Sequence, residues 1–394
     1  MLTRKKMLLF LFLILFPSLS NGQNVLNSDD VDFVIVGFRH GFRNPIKFIP
    51  NDTTRQIYGW GWEGAGQLTN YGKLQSYGLG TFLRNRYKNF LDDHFVSDQI
   101  KAYSSSSERC QMTLLSVLAG LYEPTSKKTT FKNGLSWQPI PYENNDVLLR
   151  VYESTCPTYR KVYQKFVDDN EPEAKQWLTS KANLVQYITR NNGFNGSLLS
   201  LSSFADNIVS MLQGNVPLPS WIENSTLPGY SNRQTLIDEI LKFVASNPIL
   251  CSKDEQCAKQ WAGNWINETI FILDEKSRGR LPDRKIHLYS THLEGVMPFM
   301  RLMGAGIENM PNTGGFILEL RHKIEQKSPP VVRLLYHEPG DAKNPLQHQY
   351  RYLTLPNLQK VDNDNKWYKL DDFTNYMKKF AINDWKSYCG WSKC

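Results

Sequence analysis

Hydrophobic positions along this chain follow two rhythms. Val31 to Phe38 (VDFVIVGF) is an apolar, β-branched run bounded by polar and Gly-rich sequence, which predicts a buried strand. Leu68 to Leu91 places apolar residues at helical spacing, at Leu74, Tyr77, Leu79, Phe82 and Leu83. Ile100 to Tyr103 predicts a second strand, which runs through a serine tract into an apolar helix from Met112 to Leu121. Strand followed by helix, repeated, predicts an α/β sheet. From about Cys156 to Ser277 the helical rhythm takes over, with helices expected over 157–168, 171–190, 198–213, 233–245 and 255–273. In the fourth, Leu236, Ile237, Ile240, Leu241 and Val244 form one apolar stripe. Strand patterns return at Lys285–Ser290, Gly315–Leu320 and Val331–Tyr336, and a last helix is expected over Asp372–Phe380 with Asp371 as its N-cap. The expected organisation is a leader (1–22), a first part of an α/β core (23–155), a mostly helical insertion (156–277) and a second part of the core (278–394).

The leader is read from its own pattern. Arg4, Lys5 and Lys6 precede the apolar run Met7 to Phe16, and Ser20-Asn21-Gly22 offers small residues for cleavage before Gln23. The run is too short to anchor in a bilayer, so it predicts a removed signal peptide and a secreted, extracellular protein. No later stretch is apolar enough to span a membrane. The formal net charge of +8 changes little on removal of the leader: Lys and Arg fall from 46 to 43 against 38 acids, leaving +5. That charge is spread along the chain, without the Lys/Arg block that nucleic acid binding calls for. The six cysteines of an exported chain predict disulfides, and Cys251 and Cys257 flank a short polar loop that a local bridge could close. No Cys/His spacing matches a zinc site, and neither metal nor cofactor is implied. N-glycosylation sequons at Asn51, Asn195, Asn224 and Asn267 fit passage through a secretory pathway.

The candidate chemistry lies where the first strand ends, in Arg39-His40-Gly41-Phe42-Arg43-Asn44-Pro45. Ligands of open α/β sheets sit beyond the carboxyl ends of strands. Two arginine forks suited to phosphate or carboxylate flank a histidine there, and Gly41 permits close backbone approach. Flanking cations favour the neutral imidazole, leaving a ring nitrogen free to attack phosphorus. This segment resembles the signature of the histidine acid phosphatases. Further motifs follow in order: Trp62 to Thr69 (WEGAGQLT) with Tyr71-Gly72, Tyr103-Ser104-Ser105 through Arg109, Trp137 to Pro141 (WQPIP), and Tyr289-Ser290-Thr291-His292. The similarity runs from about Asp32 to Cys389. It implies a large α/β domain with a central mixed sheet flanked by helices and an inserted helical cap, the pocket lying between them. It also implies His40 as nucleophile, Arg39, Arg43 and Arg109 as holders of the phosphoryl oxygens, His292 as a further donor, and a bridge between Cys156 and Cys389. Relatives are often dimers, so a homodimer is carried as an expectation, although no patch in the sequence decides it.

One departure from the family pattern bears on function. The family places an aspartate after the second histidine, where it protonates the leaving alcohol; here the residue is Leu293. General acid help is commonly worth about a hundred- to ten-thousand-fold in rate. Glu294 follows, and a distant branch, the inositol polyphosphate phosphatases, takes its acid from a glutamate in a His-Ala-Glu order. Phe42 stands where relatives often carry small or polar residues: at the pocket mouth it would favour ring-bearing or lipid ligands, and the alternative is ordinary packing under the cap. Two readings stand: an active secreted phosphomonoesterase with Glu294 as acid, or a weak member whose pocket binds small molecules. The altered motif resembles the acid-phosphatase-like proteins in the saliva of blood-feeding insects such as fleas, a group associated with binding biogenic amines and leukotrienes.

Overall fold

The computed structural model describes residues 31–391 except 51, 151–155, 168–171, 231, 323–327, 342 and 362–365. The leader, the sequon at Asn51 and Cys394 therefore lie outside the described residues. Among those described, eight strands form one sheet: β1 (Phe33–Arg39), β2 (Ile100–Ser104), β3 (Glu143–Asn144), β4 (Ile286–Thr291), β5 (Gly315–Arg321), β6 (Val331–Asp341), β7 (Asn344–Tyr352) and β8 (Tyr368–Lys369). The order is β3-β2-β4-β1-β5-β6-β7, with β8 pairing on β6. Strands β3, β2, β4 and β1 run parallel, while β1–β5, β5–β6 and β6–β7 are antiparallel. The sheet is thus mixed, and its parallel half brings the carboxyl ends of β1, β2 and β4 side by side.

Fifteen helices accompany it among the described residues. Before the helical block come α1 (Thr54–Tyr58), α2 (Asn70–Arg86), α3 (Glu108–Leu121) and α4 (Asp146–Leu149). The block holds α5 (Pro157–Val167), α6 (Pro172–Ser180), α7 (Ala182–Asn192), α8 (Leu198–Gln213), α9 (Ser220–Glu223), α10 (Arg233–Leu241), α11 (Ser246–Lys253) and α12 (Glu255–Ser277). The last are α13 (Leu293–Leu302), α14 (Leu370–Met377) and α15 (Trp385–Tyr388). Alternation along β1 divides the core. Val34, Val36 and Phe38 pack with Leu79 and Leu83 of α2 and with Val117 and Leu121 of α3. Phe33 and Ile35 face Trp265 and Ile266 of α12, Val296 and Met300 of α13 and Phe373 of α14. Helix α12 therefore packs on the sheet. A separate apolar cluster joins α7, α8 and α10 with Trp60, so residues after β1 reach into the helical cap.

Several details differ from the sequence expectation. The span 171–190 is two helices, α6 and α7, and the final helix starts earlier. Its N-cap is Lys369, and Asp371 lies inside the first turn, where its charge still complements the helix dipole. Strand β7 and helix α13 went unpredicted: β7 has no buried residue to create an apolar rhythm, and the β4 motif masked the helix that it caps. Disulfides join Cys156 to Cys389 and Cys251 to Cys257, in one cluster with Trp261 and Trp385, and Cys110 is a buried free thiol. No helix among the described residues is long and apolar enough to cross a membrane.

Candidate active site

The loop after β1 is fastened before any ligand arrives. His40 N donates to Thr291 O at 2.8 Å and Ser105 N to Ser290 O at 3.1 Å, extending the sheet ladder past its last residues. Gly41 N donates to Thr113 Oγ1 of α3 (2.9 Å), and Phe42 N to Gln75 Oε1 of α2 (3.1 Å). Glycine is required here for space: a Cβ on Gly41 would stand 2.5 Å from Gly72 O, and one on Gly72 would stand 2.1 Å from Phe42 O. The loop therefore lies directly on the backbone of α2.

A cavity of about 140 Å³ opens over this loop, bordered by the floor residues Arg39, His40, Arg43, Arg109 and His292, by Leu293 and Glu294, and by cap residues including Asp206. His40 is buried, and its Nδ1 lies 2.8 Å from Gly41 O. A carbonyl only accepts, so Nδ1 carries the proton and Nε2 keeps its lone pair. Burial, then Arg109, His292, Arg39 and Arg43, push the His40 pKa well below the usual histidine value. The neutral, nucleophilic form is thereby favoured. The Nε atoms of Arg39, Arg43 and Arg109 are buried with no hydrogen-bond partner among the described residues. Three unpaired guanidinium donors beside a neutral imidazole form a site that an oxyanion would complete. Burial lowers Arg39 to about 10, helped by Arg43 and Arg109 and opposed by Glu294 and Asp206.

His292 borders the cavity beside His40, with ring centroids 5.5 Å apart. Arg109 Nη2 lies 3.1 Å from His292 Nδ1, and a guanidinium can only donate, so Nδ1 accepts. The proton then sits on Nε2 and points at Ser105 Oγ, 3.0 Å away, with Cys110 Sγ at 3.3 Å. Burial, Arg109 and Arg150 lead the effects that hold this ring well below the usual histidine pKa. His292 thus braces Arg109, and its donor faces away from the guanidinium it holds. Arg150 was not singled out from sequence. Cys110 is pushed up to about 12 by burial and stays a thiol.

The remaining expected residues divide. Leu293, only 3% exposed, packs in the apolar cluster with Val296 and Met297 while bordering the cavity, and has no proton to give. Glu294, the next residue on α13, is half-buried, lines the cavity and makes no hydrogen bond or ion pair among the described residues. Phe42 is a correction: it is not a cavity residue. Its backbone is bound to α2 and to Thr69 N, so its ring is turned edge-on to Tyr71, 5.8 Å between centroids. The apolar rim belongs instead to Ile46 and Leu199, 61% and 58% exposed. Sequence reading also missed Tyr163 of α5 and Asp206 of α8. Leu199, Ser202, Ser203 and Asp206 stand at positions i, i+3, i+4 and i+7 of α8, one helix face turned to the cavity, and that mixed stripe was the available signal. Of the sequons, Asn195 and Asn224 are exposed, while Asn267 is half-buried within α12.

A neutral histidine with a free nitrogen thus stands among three half-buried arginines, beyond the adjoining carboxyl ends of parallel strands, an arrangement whose donors suit an oxyanion. A sequence model described as histidine phosphatase superfamily (branch 2) matches residues 30–316, and the chain belongs to that family. It is 28% identical over 298 residues to prostatic acid phosphatase of Bos taurus, covering 74% of this chain and 72% of that one. It is 32% identical over 199 residues to lysosomal acid phosphatase of Xenopus laevis, covering 49% and 45%. Among solved structures, apo Hafnia alvei phytase shares the fold at a TM-score of 0.64 and 14% identity, over 91% of this chain and 98% of that one.

Proposed function

We propose that this chain is a secreted, acid-phosphatase-like binding protein whose phosphatase chemistry is weak and whose cavity takes up small mediators, biogenic amines and leukotrienes in particular. The observation that carries this reading is Leu293. His40 Nε2 retains the lone pair for in-line attack, and the three arginines suit the equatorial oxygens of a transferring phosphoryl group. The residue after His292 gives the departing alkoxide nothing. Binding needs less than catalysis does, and the cavity offers partners for both ligand classes. Arg39, Arg43 and Arg109 suit a carboxylate, and Ile46 and Leu199 suit an apolar tail at the mouth. Glu294, with the ring of Tyr163 on the same wall, suits an ammonium group.

Calorimetry with one amine and one leukotriene tests this. At least one is expected to bind at micromolar or better, about −8 kcal/mol. Arg109→Ala should weaken the leukotriene at least tenfold and the amine little, while Glu294→Gln should do the reverse. Folded protein at high concentration that gives no heat with either ligand removes the binding reading. The second reading, a phosphomonoesterase with Glu294 as acid, is favoured by the placement of that unpaired carboxylate on the cavity wall.

A further inference from the structure

Arg43 enters the cavity already committed. Its Nη2 donates to Asp206 Oδ2 at 2.9 Å and its Nη1 to Asn44 O at 2.9 Å, so only Nε is without a partner among the described residues. The two side chains are 16% and 22% exposed, which shields the pair from solvent screening. The pair is also held in register. The next residue of α8, Asn207, is fully buried; its Nδ2 donates to Lys47 O (2.8 Å) and its Oδ1 accepts from Ile49 N (3.2 Å). This amide clamps the chain just past Arg43 onto the cap, and so fixes the Asp206 carboxylate over the arginine floor.

We propose that Asp206 is a specificity-determining residue that restricts the cavity to singly charged oxyanions. Resting on the reading of the cavity as an anion site, this names the charge of the anion it takes. Arg39, Arg43 and Arg109 supply three positive charges, and Asp206 and Glu294 return two, with both histidines neutral. One net charge remains. A monoanion, such as a carboxylate, a diester or a singly protonated phosphomonoester, is balanced by that remainder. A dianion meets the fixed Asp206 carboxylate and must share Arg43 with it.

The test uses sulfate and methyl sulfate, two tetrahedral oxyanions that differ by one charge, titrated calorimetrically at one neutral pH into the whole protein, Asp206→Asn and Asp206→Glu. Wild type should bind methyl sulfate at least as tightly as sulfate. Asp206→Asn keeps an amide oxygen for Arg43 while removing the charge. It should tighten sulfate tenfold or more, about 1.4 kcal/mol, and methyl sulfate by clearly less. Asp206→Glu should keep the wild-type order. An unchanged sulfate to methyl sulfate ratio in Asp206→Asn, with both anions still binding, overturns the role of Asp206 and leaves the anion site standing. No binding of either anion by any of the three proteins overturns both.

Discussion

At the scale of single residues, the site is built from constraints that each leave one choice. Gly41 shows this most sharply, because its backbone lies against Gly72 O and Ser76 Oγ, and its own N–H is spent on Thr113. Gly41→Ala should push the loop off α2, costing roughly 1–3 kcal/mol as overpacking does, and should displace His40 and Arg43 together. Thermal melts with and without a saturating oxyanion check this. A lowered melting temperature with the stabilising effect of the oxyanion largely lost is expected, and an unchanged effect would place the loop elsewhere. The two histidines make the same point through hydrogen bonding. Each has one nitrogen settled by a partner of fixed sense, a carbonyl for His40 and a guanidinium for His292, and the free lone pair falls to His40 alone. The sequence supplied both histidines, but not their tautomers, which depend on partners 183 or more residues apart only in the case of His292.

At the scale of elements, the antiparallel half of the sheet carries groups sensitive to acid. His337 of β6 is fully buried and held well below the usual histidine pKa by burial and by His348, with the Gly37 backbone opposing. His348 of β7 falls to about 4 through burial, despite its bond to Gln75 O at 3.2 Å. A histidine depressed in the folded state is neutral there and charged in the unfolded chain below its ordinary value near 6.5. Its contribution to stability is therefore complete above that pH and is lost as pH falls toward and through the folded value. Folding stability should decline from about pH 6.5 to about pH 4, each such group adding about 1.4 kcal/mol per pH unit. His348→Gln, which keeps a donor for Gln75 O, should reduce the slope in denaturant titrations by one proton; an unchanged slope would mean that this ring is protonated in the fold. Glu319 of β5 works at lower pH. Its burial opposes ionisation, but Arg86 and Arg333 outweigh that and hold it below the usual carboxylate range, so its contribution persists until strongly acidic pH.

At the scale of the whole molecule, the legible parts were those whose signal is local. β1 and its RHG motif, the strand–helix alternation and the helical block follow from periodicity and from the order of motifs. The Cys156–Cys389 bridge spans 233 residues and came from resemblance, since spacing does not determine pairing. What sequence could not supply was convergence. Asp206 is an ordinary polar residue of an amphipathic helix until the cap folds over Arg43 and Asn207 clamps it there. Phe42 drew attention as an aromatic where relatives carry small or polar residues, but the hydrogen bonds of its backbone turn the ring to Tyr71. Leu293 and Glu294 are neighbours in sequence and both border the cavity, but Leu293 is sunk into the apolar core while Glu294 is half-buried. The most direct test is steady-state turnover of an alkyl and an aryl phosphate by the wild-type protein across acidic pH, repeated with Leu293→Asp. Alkyl turnover near background is predicted, with the aryl ester hydrolysed faster because a phenoxide leaves with less help, and Leu293→Asp should raise the alkyl rate more than the aryl. Wild-type alkyl turnover of about one per second or more, typical of working enzymes, and abolished by Glu294→Gln, would contradict a binding protein and make Glu294 the acid of an active phosphatase.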